Sequence, residues 1–183
     1  MSEKYVSFRI AKGVSTTSIR NKVIHDNREG YIPKNIDASR SELNYNLLGD
    51  LRAVDVSETV ELLKGRVKQL TGRKAQEGAE MLHTGVMTFS AEMKNDYEDN
   101  REVFDKNAKD FIQRINEEYG LQVINAVVHL DETTPHIELV FDNIDRTTGK
   151  GIRRGINPRK LSKMQDLMGE CFSNLGYERG KSK

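Results

Sequence analysis

Residues 125–141, NAVVHLDETTPHIELVF, predict two short β-strands joined by a tight connection, which together form an antiparallel hairpin. Side chains of a strand point alternately to the two faces of a sheet, so each strand divides its residues into two sets. One set is wholly apolar, and we expect that face of the hairpin to pack against helices. Its members are Ile124, Ala126, Val128, Ile137, Leu139 and Phe141.

The other face of the hairpin carries both of its histidines, His129 and His136. If these residues lie opposite one another, their Cβ atoms are roughly 5 Å apart and the two imidazoles can share one metal ion. Glu132, in the connecting turn, is expected to fold over as a third ligand. The alternative is that the histidines are unrelated polar residues. The spacing differs from the zinc-protease motif His-Glu-x-x-His, which needs a helix that Pro135 excludes here.

The predicted ligands His129, Glu132 and His136 also indicate the kind of metal. Imidazole favours a transition metal, whereas a carboxylate and a phosphate oxygen suit hard cations. We therefore expect a divalent ion, Mn²⁺ in the first place and Mg²⁺ as the second possibility. Three protein ligands leave coordination positions open for a substrate oxygen and for water.

Two more strands are predicted on the N-terminal side of the hairpin, at residues 5–10 and 81–90, while the hairpin strands themselves span residues 122–130 and 136–142. Thr17 can cap a helix that runs to about Asn27, and Ser57 can cap a second one. Strands and helices in this order predict an α+β domain, a sheet with helices packed mainly on one face.

Two further helices are predicted in the second half of the chain. Apolar residues at helical spacing indicate a helix over residues 100–119, and Gly120 follows as its stop. Pro158 opens the last helix.

Length and composition favour one cytoplasmic domain. The chain has 183 residues, of which 36% are hydrophobic and 31% charged, enough for a hydrophobic core under a polar surface. No run approaches the ~20 apolar residues of a membrane span. The first residues lack a signal-peptide pattern, and the single cysteine, Cys171, cannot form an internal disulfide. We expect residues 1–183 to be a single domain of a bacterial cytoplasmic protein.

Charge is segregated along the chain although the formal net charge is only +1. Residues 146–165 contain seven basic side chains and no acidic one, and residues 64–74 contain five basic side chains and no acidic one. Such segregation fits a basic face that binds a polyanion, and two solvated surfaces are the equally acceptable alternative.

Four segments resemble, in the right order, the motifs of the Mob/Pre (MobV) relaxases of small rolling-circle plasmids. HLDETTPH (residues 129–136) is similar to the family's H-x-D-E-x-x-P-H motif, and HDNR (residues 25–28) to its H-x-x-R motif. NIDASRSELNY (residues 35–45) resembles N-x-D-x-x-R-S-x-x-N-Y, and residues 161–180 resemble L-x-x-x-Q-D followed by G-x-E-R-G. Motifs in correct order are far more specific than any one of them alone.

The resemblance implies an HUH-type endonuclease fold, a mostly antiparallel sheet that carries the metal histidines on its central strands. It also implies nicking of one strand at a plasmid transfer origin, bound as hairpin and single strand, with covalent attachment to the 5′ phosphate. His25 matches the family's nucleophile. Arg28 lies three residues on, and if the helix persists that far it shares a face with His25 and can hold the same phosphate. Tyr45 is the competing nucleophile, although a core or base-stacking role is the simpler interpretation.

Family members generally continue into a C-terminal region for dimerisation and membrane association. The resemblance therefore implies that this domain is monomeric by itself and that the full-length protein meets the coupling protein of the conjugation machinery.

The remaining candidates are predicted to touch DNA or to organise the loop around His25. From the segment 35–45 these are Asn35, Asp37, Arg40, Asn44 and Tyr45, for which a structural capping role is nearly as good an interpretation. From the basic segments they are Arg73, Arg153, Arg154 and Lys160, as phosphate contacts. His83 could assist the site, but a strand histidine without a motif is more often incidental.

Two other functions are compatible with the sequence. The first is a rolling-circle replication initiator of the same nuclease class, which needs a nucleophilic tyrosine on a helix after the metal motif. The last predicted helix offers no tyrosine before Tyr177, which disfavours it. The second is a non-catalytic origin-binding or autoregulatory module.

Overall fold

Within the residues that the structure describes, which are 4–11, 15–49, 55–90 and 93–180 of this computed structural model, the chain forms a six-stranded sheet around the predicted hairpin. The strand order is β2-β4-β5-β3-β1-β6, and β6 alone among these strands pairs in parallel, with β1. The mixed α+β class and the mostly antiparallel sheet are as expected. The strands are β1 (Tyr5–Ile10), β2 (Tyr45–Asn46), β3 (Leu82–Phe89), β4 (Val123–His129), β5 (His136–Asp142) and β6 (Glu178–Arg179).

The main helices lie close to their predicted positions, with different starts. The cap of α1 is Ser15 rather than Thr17, and the cap of α2 is Asp55 rather than Ser57. The third helix starts before residue 100, but Asn100 itself has non-helical backbone angles of −134° and 32°, so the predicted start coincides with a kink. The four helices are α1 (Thr16–Asp26), α2 (Val56–Thr71), α3 (Met93–Tyr119) and α4 (Pro158–Phe172).

The apolar face of the hairpin packs against α3 and α4 to form the main core. Phe111 of α3 and Met164 of α4 are completely buried against it. Burying a side chain of this size stabilises the fold by about 1.5–3 kcal/mol. Five of the six predicted members of this face, Ala126, Val128, Ile137, Leu139 and Phe141, are 0% exposed.

Helices α1 and α2 cover the opposite face of the sheet, so the helices are distributed more evenly than expected. Ile19 of α1 and Val60 of α2 share a second apolar cluster with Leu82 and Val140, which point away from the main core. The reason is that the face of the hairpin that carries the histidines is not polar along its whole length. It is polar at the end where the histidines lie and apolar at the other end. Helices therefore cover that end, while the histidine end stays polar.

Ile124 is the exception among the predicted core positions of the hairpin. The register between β4 and β5 shifts between Val123 and Asn125, which is a β-bulge. A bulge adds one residue to one strand and therefore reverses the face of the side chains around it. Ile124 accordingly packs against the second cluster rather than the main core.

The C-terminal motif resembling L-x-x-x-Q-D is architectural in this fold. The Gln165 side chain binds both backbone groups of Phe8: its Oε1 accepts from the Phe8 N–H at 3.0 Å, and its amide donates to the Phe8 carbonyl. Asp166 accepts a hydrogen bond from Arg179 of β6. Together these contacts attach α4 to the edge of the sheet, which explains why the motif lies so far from the hairpin in sequence. No helix within the described ranges combines the length and the apolarity that crossing a membrane requires.

Glycines at two positions allow a sharp test of this packing. A Cβ at Gly85 would lie 3.0 Å from the Phe8 ring and 3.1 Å from the Arg9 carbonyl oxygen, both in the core of the sheet, whereas a Cβ at Gly65 of α2 would meet nothing within 4 Å. We expect Gly85→Ala to lower the free energy of unfolding by about 1–3 kcal/mol through overpacking. Gly65→Ala should raise it by up to about 1 kcal/mol through helix propensity. Urea denaturation measures both, and equal effects would contradict the register of β1 and β3.

Candidate active site

The two histidines of the hairpin lie directly opposite one another, as the sequence predicts. His129 at the end of β4 pairs in register with His136 at the start of β5. Their rings are stacked, with centroids 5.1 Å apart and an interplanar angle of 29°. Both rings are therefore on the face of the sheet opposite the main core.

Two carboxylates flank the His136 imidazole. Its Nε2 lies 4.0 Å from Glu132 Oε1 in the turn and 3.6 Å from Glu138 Oε1 on the same strand. Glu138 is also held by Lys22 of α1, whose Nζ lies 2.5 Å from Glu138 Oε2. Glu138 was not predicted as a ligand, although its position two residues after His136 puts it on the same face of β5.

The turn between the strands adds Asp131 to the predicted metal ligands. Among the described residues, ligand atoms of His129, Asp131 and Glu132 all lie within 4.8 Å of one another. Together with the nearby His136, this set offers imidazole nitrogen and carboxylate oxygen, which are donors that suit Mn²⁺. The chemistry of the residues therefore fits a divalent ion, with Asp131 and Glu138 as candidate ligands besides the three predicted ones.

Helix α1 ends beside the hairpin in a turn that brings Arg28 towards His129. The backbone N–H of Arg28 donates to the His25 carbonyl, and the backbone N–H of Glu29 donates to the Ile24 carbonyl, both at 3.0 Å. This pair of hydrogen bonds is a Schellman motif. Arg28 has a φ of 55°, in the left-handed region that this motif normally reserves for glycine. The expectation that His25 and Arg28 share one face of a continuous helix is therefore wrong, because the helix has already ended at Asp26.

The Arg28 guanidinium is the centre of the site. Its Nε and Nη2 donate to the two carboxylate oxygens of Asp131 at 2.8 and 2.6 Å, a bidentate pair. Nη2 also donates to His129 Nδ1 at 2.7 Å and to Glu132 Oε1 at 2.9 Å. Nη1 donates to His25 Nε2 at 3.0 Å. We call these five residues, His25, Arg28, His129, Asp131 and Glu132, the central cluster.

The two ring nitrogens of His129 have opposite partners. A guanidinium can only donate hydrogen bonds, so Nδ1 of His129 must accept from Arg28. Nε2, 3.3 Å from Asp26 Oδ1, then carries the proton. Burial lowers the pKa of His129, and its hydrogen bond with Asp26 offsets this only in part. The buried Asp26 carboxylate thus selects the tautomer of His129 that keeps the Nδ1 lone pair on the side of the central cluster.

Asp131 is held as a carboxylate by its surroundings. Burial by itself would raise the pKa of Asp131, but hydrogen bonds from Arg28 and from Ser41, whose hydroxyl lies 2.7 Å from Oδ2, hold it well below the ordinary value. Because the folded-state pKa is depressed, the stabilisation is complete at neutral pH and is lost only in strong acid. Asp131 therefore remains charged, and keeps Arg28 in place, at every physiological pH.

His25 faces the cluster from the last turn of α1. Its ring centroid is 5.7 Å from that of His129, and its Nε2 lies 3.3 Å from Glu132 Oε1 as well as 3.0 Å from Arg28 Nη1. The His25 side chain remains 35% exposed, whereas His129 is fully buried. His25 is thus the imidazole of the cluster that a substrate can reach. A cleft of ≈ 830 Å³, lined in part by Arg28, Ser41 and Asn44, borders the central cluster on the Arg28 side.

The loop candidates Asn35, Asp37, Arg40 and Asn44 all contact the turn that carries the ligands. Asn44 Oδ1 accepts from the Leu130 N–H at 2.8 Å, and Arg40 Nε donates to the Leu130 carbonyl at 3.3 Å. The Asp37 N–H donates to the Asp131 carbonyl at 2.8 Å, while its side chain caps the short 3₁₀ helix Ala38–Leu43. Asn35 Nδ2 donates to Glu132 Oε2 at 3.3 Å. These contacts, together with the cap formed by Asp37, favour a structural role for the four residues in supporting the hairpin turn.

Tyr45 and His83 both lie on the face of the sheet opposite the histidine pair. Tyr45 pairs with Val128, and its hydroxyl donates to Asp105 of α3. Burial, reinforced by Asp105, raises the pKa of Tyr45, which makes it a poor nucleophile. His83 pairs with Phe141, stacks on that ring at 5.6 Å and is completely buried. Neither side chain takes part in the central cluster.

The two basic segments meet at the far end of the hairpin. Arg66 Nη2 donates to the Arg146 carbonyl at 3.4 Å, and the Arg153 N–H donates to Asn143 just beyond β5. The length of β5 puts this end about 20 Å from His136. Arg73, Arg153 and Arg154 belong to these segments, and Lys160 follows on the first turn of α4. These four residues lie outside the central cluster, in the two basic segments.

Fold and cluster together define a relaxase-type domain. The relaxase domain of MobM, bound to 22 nucleotides of plasmid pMV158 oriT DNA in an Mn-bound crystal structure at pH 5.5, superposes with a TM-score of 0.76 and 25% identity, covering 97% of this chain and 91% of that one. A second such structure, with 23 nucleotides, gives a TM-score of 0.72 and 26% identity, covering 97% and 89%. The chain belongs to the plasmid recombination enzyme (Mob_Pre) family, whose model matches residues 2–183.

Curated relatives carry the same family name. A plasmid recombination enzyme type 3 of Staphylococcus aureus is 28% identical over 96% of this chain, and a type 2 enzyme of the same species is 30% identical over 95%. One from a Bacillus species is 30% identical over 82%. This chain spans less than half the length of these relatives, 42%, 41% and 35% respectively.

The pair between Arg28 and Asp131 should dominate the local stability of the site. We expect Asp131→Asn to lower the free energy of unfolding by about 3–5 kcal/mol, since it removes the bidentate carboxylate partner of a largely buried guanidinium and leaves only Glu132 as its ion-pair partner. The matched control Ser41→Ala removes a neutral donor to the same carboxylate and should cost about 1 kcal/mol. Urea denaturation at pH 7 measures both variants, and similar losses for the two would show that the ion pair contributes little.

Proposed function

We propose that this domain nicks one strand of DNA at a plasmid transfer origin and remains joined to the 5′ phosphate through His25, as a relaxase that initiates mobilisation. The observation that carries the proposal is the position of His25. An accessible imidazole lies in the same cluster as the hairpin residues that suit a divalent ion, and its Nε2 is 3.3 Å from Glu132. A nucleophile and a metal site within one cluster are what cleavage of a phosphodiester needs.

Membership of the Mob_Pre family and the likeness to MobM support this proposal. MobM is described as a relaxase domain bound to oriT DNA, with Mn in its crystal structure. By analogy, we propose Mn²⁺ as the metal and origin DNA, in hairpin and single-stranded form, as the substrate of this chain. His129, Glu132 and His136 would hold the ion, with Asp131 and Glu138 as further carboxylates beside it.

The proposed reaction follows from the protonation of His25. Because Nε2 accepts from Arg28, it carries the lone pair, and Nδ1 carries the proton. Attack by Nε2 on phosphorus forms a P–N bond as the bond from phosphorus to the 3′ oxygen breaks. The proton that Nδ1 loses balances the one that the 3′ hydroxyl gains. When bound, the divalent ion supplies polarisation of a non-bridging phosphate oxygen. A P–N bond is reactive, so the strand can later be rejoined.

DNA would reach the site along the polar end of the sheet. Arg28 is a candidate to bind the scissile phosphate, in keeping with the bidentate geometry of its guanidinium. We assign sequence-independent phosphate contacts to the two basic segments, with Arg73, Arg153, Arg154 and Lys160. Tyr45 remains a candidate to contact DNA, since it borders the cleft beside Asn44.

The wider role of the protein is also part of the proposal. A relaxase acts on plasmid DNA, which places it in the bacterial cytoplasm, and the full-length protein would deliver its DNA to a coupling protein. We propose that residues 1–183 act as one monomeric nicking domain, with dimerisation and membrane association assigned to a further C-terminal region. A replication initiator is the less favoured alternative, because Tyr177, after α4, is only 2% exposed. A non-catalytic origin-binding module is the second alternative.

A nicking assay with two variants tests this proposal. With a supercoiled plasmid that carries the cognate origin and with Mn²⁺, His25→Ala should lose at least about 10³-fold in nicking rate, because the nucleophile is missing. Its DNA affinity should be unchanged. The matched control Tyr45→Phe should nick at nearly the wild-type rate.

Mass spectrometry of the covalent adduct completes the test. A DNA adduct mapped to His25 is the expected result. An adduct on Tyr45 would overturn the assignment of the nucleophile, and absence of metal-dependent nicking by the wild type would favour the non-catalytic alternative.

A further inference from the structure

One nitrogen of Arg28 lies among the atoms that are best placed to bind a metal. The candidate ligand atoms belong to His129, Asp131 and Glu132. Arg28 Nη2 contacts all three of these residues, at 2.7, 2.6 and 2.9 Å. The guanidinium therefore satisfies the same lone pairs that coordination of a divalent ion would use.

A guanidinium and a divalent ion cannot use His129 Nδ1 together, because a neutral imidazole has a single lone pair. Two cations that share the carboxylates of Asp131 and Glu132 would also lie close together in a largely buried environment, where their repulsion is poorly screened. We propose that Arg28 is an internal cation that competes with the catalytic metal for the central cluster. This inference rests on the proposed function, since it takes the cluster to be the metal site.

The backbone of Arg28 supports a role beyond the turn itself. Its φ of 55° is that of a glycine position, and it is the only non-glycine residue in the described ranges with a positive φ. A non-glycine residue in this conformation is strained and persists where the surroundings hold it. Besides the hydrogen bonds of the turn, the contacts of the guanidinium with the cluster hold Arg28 there.

The same guanidinium also binds His25, the proposed nucleophile. Arg28 Nη1 donates to His25 Nε2 at 3.0 Å, so the lone pair that would attack phosphorus is engaged. Departure of Arg28 from the cluster would free the ligand atoms and the nucleophile in one movement. The released guanidinium would then be available to a phosphate. Arg28 thus couples the filling of the metal site to the activation of His25.

Competition predicts the sign of a change in metal affinity. If Arg28 blocks the cluster for most of the time, only a small fraction of the molecules can bind the metal at once, and the apparent metal affinity is reduced by that fraction. With EDTA-treated protein and Mn²⁺ alone, in the absence of DNA, we expect Arg28→Gln to bind Mn²⁺ at least about tenfold more tightly than the wild type by isothermal titration calorimetry. Arg28→Lys keeps a cation and should gain less. Glu132→Gln, which removes a ligand, should bind more weakly.

Arg28→Gly provides a second variant that is compatible with the left-handed turn. It should show the same gain in Mn²⁺ affinity as Arg28→Gln. Thermal unfolding gives an independent measurement: in EDTA, Arg28→Gln should melt below the wild type, because two acidic groups lose their counter-ion. Saturating Mn²⁺ should raise the melting temperature of Arg28→Gln by more than that of the wild type.

The outcomes separate this inference from the proposed function. Unchanged or weaker Mn²⁺ binding by both Arg28→Gln and Arg28→Gly overturns the inference, and the proposed function stands if the wild type still nicks origin DNA with Mn²⁺. Absence of Mn²⁺ binding by the wild type and by both of these variants also overturns the inference. The nicking assay then reports separately whether the proposed function fails with it.

Discussion

The bidentate ion pair between Arg28 and Asp131 connects the two parts of the site, and the rest of the arrangement depends on it. His25 and Asp26 come from the end of α1, whereas the histidine pair comes from the hairpin, more than a hundred residues later in the chain. Apolar packing of α1 on the sheet brings these parts near one another but cannot orient polar groups, because the hydrophobic effect is not directional. The guanidinium supplies direction, since its planar Nε and Nη2 donors hold the Asp131 carboxylate while Nη2 and Nη1 bind the imidazoles of His129 and His25.

Strand alternation explains which candidates take part in the site. Because the side chains of a strand change face at every residue, one register assigns His129, His136 and Glu138 to the polar face. The same register assigns Tyr45 to the main core, beside Val128. The residues between the strands escape this rule, so the turn needs its own support. That support is the loop before β2, whose side chains and backbone bind the turn at Leu130, Asp131 and Glu132.

The sequence predicted what depends on periodicity and missed what depends on local backbone geometry. Hairpin, histidine pair and apolar face all follow from the alternation of side chains. The β-bulge at Ile124 could not be read in the same way, because it breaks the alternation without a glycine or proline to mark it. Likewise, a left-handed arginine leaves no signal in its residue type, since glycine is the residue expected there. Glu138 and Asp131 could have been predicted as candidate ligands from the sequence. Glu138 lies two residues after His136 and therefore on the same face of its strand.

The charges around the three histidines explain why a nicking reaction here would need a divalent cation. With neutral imidazoles, Lys22 and Arg28 face four carboxylates, those of Asp26, Asp131, Glu132 and Glu138, so the formal charge is two minus four, or −2. A DNA phosphate entering such a site adds another negative charge, and repulsion between like charges grows as water is excluded. An ion of charge +2 balances the formal charge of −2 on the protein groups, without the phosphate. Arg28 would then be able to neutralise a phosphate rather than a carboxylate, so under the proposed function the metal would support substrate binding as well as chemistry.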